Sequence, residues 1–147
     1  MPEERTPLQS IIFSIDECCD AWTALVEVNK IYKQFLGANQ EDRKKLIPPS
    51  ETIVALLGIT RDAFCVRVAN LLDKRKNINS LKNVFSGDVI KKLEKHPIVI
   101  ASVAARHNNI CHIGKKYTKW PEVDDIVNAK DLKELLEGIK NGVIISK

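Results

Sequence analysis

Pro97-Ile98-Val99-Ile100-Ala101-Ser102-Val103-Ala104-Ala105-Arg106-His107-Asn108-Asn109-Ile110-Cys111-His112 is the stretch whose reading decides the fold. Ile98-Val99-Ile100 alone would fit a buried strand, because a short apolar run has the same pattern in a sheet and in a buried helix. The five residues that follow, three of them alanine, favour helix. Pro97 is tolerated there, since the first turn of a helix needs no backbone donor. The spacing therefore predicts a strongly apolar helix from Ile98 to roughly His112, ending near Gly114.

Upstream, Leu8, Ile11, Ile12, Ile15, Cys19, Trp22, Leu25, Val26, Tyr32 and Leu36 recur at steps of three and four. They predict one long amphipathic helix ending near Gly37. Asn39 to Lys45 reads as a charged connection. Pro48-Pro49-Ser50 before Glu51 marks the start of a second long helix, with Ile53, Leu56, Leu57, Phe64, Val68, Leu71 and Leu72 facing inward. It fades at Lys74-Arg75-Lys76-Asn77, where cations complement the helix dipole. A short helix is expected from Ile78 to Phe85. Ser86-Gly87-Asp88 then reads as a turn and N-cap opening Val89 to Lys95. Downstream, Trp120-Pro121 begins another segment. Asn128 or Asp131 caps a final helix carrying Leu132, Leu135, Leu136 and Ile139, which stops at Asn141-Gly142 and leaves Val143-Ile144-Ile145 as an apolar tail. With no hairpin turn, repeat or low-complexity segment, the expectation is a single all-α domain over residues 1–147. Its architecture is an antiparallel bundle of four to six helices.

Composition agrees with that class. Hydrophobic residues make up 44% of the 147 and aromatic ones 5%, so aliphatic side chains must fill the core. Six Gly and six Pro are too few for a turn-rich β-sandwich of this length. The net charge of +4 permits contact with a polyanion but is no nucleic-acid signature by itself. Cys18, Cys19, Cys65 and Cys111 lie in apolar helical contexts without CxxC spacing. They read as reduced thiols of a cytoplasmic protein. The N-terminus carries no secretory signal, and no apolar run approaches the ~20 residues that span a bilayer, so no membrane partner is expected.

Arg106 and His112 suit phosphodiester chemistry. An imidazole moves protons near neutral pH, and a guanidinium holds a phosphoryl group with paired donors. In an ideal helix six residues advance about 600°, which leaves the two side chains roughly 120° apart. They share one phosphate only if the helix loosens or a π-bulge shifts the register, or if two copies meet across a two-fold axis. Asn109 lies midway and can bridge them. His107 and Cys111 are zinc-type ligands at i, i+4, but a fourth ligand is not evident, so no metal or other cofactor is assigned. Lys115, Lys116 and Lys119, with Lys91, Lys92 and Lys95, can track a phosphate backbone. Tyr117 and Trp120 can stack on unpaired bases, although Trp120 before Pro121 equally suits a core plug. Asp73 and Arg75 read as a local salt bridge. Cations at a helix end also serve simply as caps.

The Arg106–His112 segment resembles the signature of HEPN domains, in which an Arg, a polar residue and then a His close a helix. The closest likeness is to the AbiU-type abortive-infection branch. Leu71-Leu72-Asp73 through Ser80-Leu81 is similar to its earlier Leu-x-Asp…Ser-Leu element. The likeness runs from the second helix to His112 and is thin in identities. His107 stands where such families usually carry Asn, and Cys111 where a small residue is usual. Gly114 replaces the Tyr that a nucleotidyltransferase modifies in some of them. The resemblance implies a small helical bundle acting as a metal-independent, homodimeric endoribonuclease in a toxin–antitoxin or phage-defence setting, with an antitoxin protein as a possible partner. It implies Arg106 and His112 as catalytic residues, with His107 and Asn109 in support. RNA would be held by Lys115, Lys116, Tyr117 and Lys119. A catalytically silent helical module that binds protein or RNA is the alternative.

Overall fold

The computed structural model of the chain describes residues 4–45, 50–73, 81, 87–111 and 117–145. Those residues form seven α-helices and one π-helical segment, with no strand among them. The all-α class expected from the sequence is the one observed. The helix count exceeds four to six because two of the seven are short: α2 (Gln40–Lys44) and α6 (Val123–Asn128).

Helix α1 spans Pro7–Gly37 and opens on a capping box. Thr6 Oγ1 accepts from the Gln9 N–H at 3.2 Å, and Gln9 Oε1 accepts from the Thr6 N–H at 2.9 Å. The expected charged connection after it is helical instead. Asn39 Oδ1 caps α2 by accepting from the Asp42 N–H at 2.8 Å. Glu41 and Asp42 sit at the positive end of α2, Arg43 and Lys44 at the negative end. Arg43 Nε also donates to the Phe35 and Ala38 carbonyls, which closes the end of α1.

Helix α3 spans Ser50–Leu71 and packs along most of α1. Glu17 pairs with Arg67, whereas Asn29 and Tyr32 lie by Leu57 and Arg61, so the two helices run antiparallel. The short helix expected from Ile78 to Phe85, and Ser86, lie outside the described residues apart from Leu81, which is buried. Gly87 precedes α4 (Asp88–Lys95) with φ of 155°, a backbone region that favours glycine, and α4 has no side-chain cap.

Pro97 restarts the chain as the sequence predicts, and α5 spans Pro97–Arg106. Its cap is His96. The ring Nδ1 accepts from the Ile98 N–H at 3.2 Å, and Nε2 lies 3.0 Å from Asp131 Oδ2. A neutral ring that accepts at Nδ1 carries its hydrogen on Nε2, so it donates to Asp131 and ties α5 to the last helix. Ser102 lies beside the Cys65 thiol and Arg106 reaches Asp73, so α5 runs beside α3 in the same direction.

The last helix, α7, spans Lys130–Ile145 and does not stop at Asn141-Gly142. Val143, Ile144 and Ile145 belong to it rather than to a tail. The Gly142 backbone keeps a negative φ, so the left-handed stop never forms. Lys140 pairs with Asp16 at 2.5 Å and Lys133 covers the Trp22 ring, which lays α7 antiparallel on α1. Trp22 Nε1 donates to the Ile126 carbonyl at 2.9 Å and anchors α6 to the same helix.

The core lies between these layers. Ile11, Ile15, Cys18 and Leu25 of α1 meet Phe64, Cys65 and Val68 of α3, with Leu132 and Leu136 of α7 and Val99 and Ala105 of α5 closing the sides. Trp120 is buried among them and takes the core-plug role rather than that of a stacking platform. Burial pushes the Cys18 thiol well above its ordinary range and the Cys65 thiol up to about 11. The described thiols, Cys18, Cys19 and Cys65, are free and poorly ionised. No helix among the described residues is long and apolar enough to cross a membrane.

Candidate functional site at the end of α5

The α-helical pattern of α5 ends at Arg106, and His107–Cys111 continue as a π-helix, here π1. Helix widening was one of the two routes by which Arg106 and His112 could approach each other, and π-bulges frequently mark functional sites. A local cause is visible. Asparagine is a poor helix former because its amide competes for backbone groups. Here two adjacent asparagines bond to one loop residue. Asn109 Nδ2 donates to the Thr118 carbonyl at 2.6 Å, and Asn109 Oδ1 accepts from the Thr118 N–H at 2.8 Å. Asn108 Nδ2 donates to Thr118 Oγ1. The carboxamide of Asn109 pairs with both backbone polar groups of one residue, much as a neighbouring strand would. It clamps the chain after the site back onto π1, so its amide faces Thr118 rather than bridging Arg106 and His112.

Arg106 lies on the last turn of α5 with its side chain 22% exposed. Its Nη2 is 3.5 Å from Oδ2 of Asp73, whose side chain is 8% exposed. The guanidinium thus meets a carboxylate just beyond the end of α3 while keeping one side toward solvent. The local partner foreseen for Asp73, Arg75, lies outside the described residues, as do His112, Lys115 and Lys116. Of the other expected contacts, Tyr117 stands 73% exposed beside the clamped Thr118. Lys119 is exposed and pairs with Glu122, which raises the pKa of the lysine and lowers that of the carboxyl.

His107 is exposed and lines a groove of about 460 Å³ between α4 and α5. Leu72, Val99, Ile100 and Val103 supply its apolar wall, and Glu94 and Asn108 its other polar groups. The structure therefore gathers Arg106, His107 and Asn109 with the 117–119 loop at one end of the bundle. Asp73, Thr118 and Glu94 are members of this region that the sequence reading did not place. The Asn108-Asn109 pair, unusual inside a helix, was the available signal for the clamp. A second groove, of about 530 Å³, lies between α1, α3 and α6, with Lys33 3.2 Å from Asp124. No cluster of three His, Cys, Asp or Glu side chains able to hold a metal occurs among the described residues.

Comparison with protein-family models, characterised proteins and solved structures gave no match to this chain.

Proposed function

We propose that the protein is a metal-independent endoribonuclease of the HEPN type, acting as a homodimer in a toxin-like or phage-defence role. The observation that carries the reading is the partly exposed guanidinium of Arg106 on the last α-turn, directly before a π-helical segment that leads into His112. In this reading the ribose 2′-oxygen attacks the adjacent phosphorus and the bond to the 5′-oxygen breaks, giving a 2′,3′-cyclic phosphate. His112 takes the 2′-OH proton or delivers a proton to the leaving oxygen. Arg106 stabilises the charge that builds on the phosphoryl oxygens. Attack by the 2′-OH restricts the substrate to RNA. Tyr117 offers an exposed ring for an unpaired base, and Lys115, Lys116 and Lys119 supply positive charge along the strand. His107 stands next to Arg106 as a second imidazole. An antitoxin protein is the partner such a role calls for.

The Arg106–Asp73 pair favours a second reading, a catalytically silent helical module that binds protein or RNA, because a guanidinium held by a carboxylate is also a structural group. The two separate in one assay. Purified protein is incubated with total RNA in EDTA, alongside Arg106→Lys and His112→Ala. Cleavage leaving cyclic-phosphate ends, lost in both variants with helical content intact, supports the enzyme. RNA left whole by the wild type, or cleaved equally by both variants, supports the module.

A further inference from the structure

The groove of about 530 Å³ between α1, α3 and α6 lies away from Arg106, since about 15 Å of helix separates Arg61 from the end of α3. Its walls carry opposite charges that do not meet. Arg61 of α3 commits Nε to Asp62 Oδ1 at 2.9 Å, and neither of its Nη atoms has a partner among the described residues. On α6, Asp124 pairs with Lys33 of α1 at 3.2 Å, whereas Asp125 is exposed and pairs with no cation among the described residues. Asn29 of α1 lines the same groove and is only 8% exposed. Its Nδ2 donates to Asp124 Oδ1 at 3.5 Å, which fixes the amide orientation and leaves Oδ1 as an open acceptor. Every fully enclosed side-chain N or O atom among the described residues has a partner, so the unpartnered Asn29 Oδ1 is one that still reaches the groove. Buried amides normally engage both ends, and here one end waits for a donor.

We infer that this groove binds a small zwitterion with an apolar side chain, an α-amino acid or a dipeptide. Its carboxylate takes the paired N–H donors on the Nη edge of Arg61. Its ammonium donates to Asn29 Oδ1 and faces the carboxylates of Asp124 and Asp125. Leu57 and Val123, both partly buried, form the apolar wall for its side chain. The mixed lining selects against simpler ligands. A plain anion satisfies Arg61 but meets the α6 carboxylates, and a plain cation meets Arg61 and Lys33. A ligand carrying both charges is opposed by neither wall. The volume falls within the range of about 300–1,000 Å³ typical of small-molecule sites. None of these residues belongs to the RNA site proposed above, so the inference does not rest on that reading.

The probes are L-leucine and L-leucyl-L-leucine, titrated into the full chain by calorimetry and by nuclear magnetic resonance of the Asn29 side-chain amide. At least one should bind with a dissociation constant of about 1 mM or below and shift that amide. The tighter of the two tells whether the site takes a free amino acid or a peptide. N-acetylation of the better ligand removes its ammonium, and C-terminal amidation removes its carboxylate. Each change should weaken binding by about 10-fold or more, without altering the protein at all. Arg61→Gln and Asp125→Asn should each weaken the unmodified ligand by a similar factor. Circular dichroism should be unchanged, since neither residue is part of the core. No binding of either probe at about ten times that constant would overturn the inference. So would equal affinity for the acetylated and amidated forms and the parent ligand, or affinity that survives both substitutions.

Discussion

Arg106→Ala is expected to cost stability as well as activity, and the size of that cost follows from the site. At 3.5 Å and an effective dielectric constant near 20, the gross attraction between Arg106 and Asp73 is about 5 kcal/mol. Partial desolvation of both groups and the single long contact reduce the net value toward about 1–2 kcal/mol. Removing the guanidinium costs more than the pair is worth, because the Asp73 carboxylate is nearly enclosed and part of its compensation is lost. Arg106→Ala should therefore destabilise the fold by about 2 kcal/mol. Arg106→Lys retains a cation and should cost about 1 kcal/mol. The measurement is a double-mutant cycle in urea with Arg106→Ala, Asp73→Asn and the double variant. A coupling energy of about 1–2 kcal/mol is expected. Coupling below about 0.5 kcal/mol would show that the two side chains are neighbours without being partners. In the RNA assay, Arg106→Lys is thus the cleaner probe, since a loss seen there is not explained by unfolding.

The Asn109 clamp predicts that Asn109→Ala costs about 1–3 kcal/mol, because the Thr118 N–H and carbonyl both lose a partner. Hydrogen exchange at the Thr118 amide should accelerate, and unchanged protection would remove the clamp from the argument. Cys65 gives a pH dependence. Its folded thiol is raised from 9.0 to about 11, so the neutral form is preferred in the fold. Its stabilising contribution is complete below 9.0 and is lost as pH rises toward about 11. Denaturation midpoints followed through that window should fall less steeply in Cys65→Ala than in the wild type, and parallel slopes would contradict the assignment. Gly87→Ala meets no neighbouring atom but must hold φ at 155°, so a loss of about 1–3 kcal/mol is expected from backbone strain alone. Thermal unfolding of that variant at an unchanged midpoint would count against the strained turn.

Elements defined by local signals were legible in the sequence. The α1 stripe, the Pro-Pro-Ser start of α3 and the Pro97 restart of α5 all depend on residues within a turn or two of one another. Elements decided by distant contacts were not. The Asn141-Gly142 pair is a good stop signal, yet α7 continues because Ile139 is buried and Lys140 pairs with Asp16 of α1. Holding a glycine inside a helix costs about 1 kcal/mol, which such docking readily exceeds. The site divides in the same way. A π-bulge was one of the ways foreseen to adjust the spacing after Arg106, because it is a local option of the helix. The pairing of Arg106 with Asp73 joins the ends of α5 and α3, and no periodicity encodes it. Asn109 was placed by its position between Arg106 and His112, whereas its amide is oriented by Thr118, a loop residue that a helical wheel does not contain.

The Asp73 carboxylate has a consequence for RNA binding that neither the resemblance nor the helical geometry suggests. If Arg106 contacts a phosphate, it must weaken or exchange its contact with Asp73, since both anions compete for the same donors. The net worth of the pair, about 1–2 kcal/mol, is then subtracted from RNA affinity. Asp73→Asn removes that competition. It should tighten RNA binding by about 5–30-fold while lowering fold stability. The opposite sign has an equally definite meaning: a fall in affinity would show that Asp73 orients Arg106 toward the phosphate rather than competing for it. Titration of the uncleaved RNA against His112→Ala, with and without Asp73→Asn, measures the sign directly. No change in affinity would mean that Arg106 does not contact the phosphate at all, and would leave the guanidinium as a brace between α5 and the end of α3.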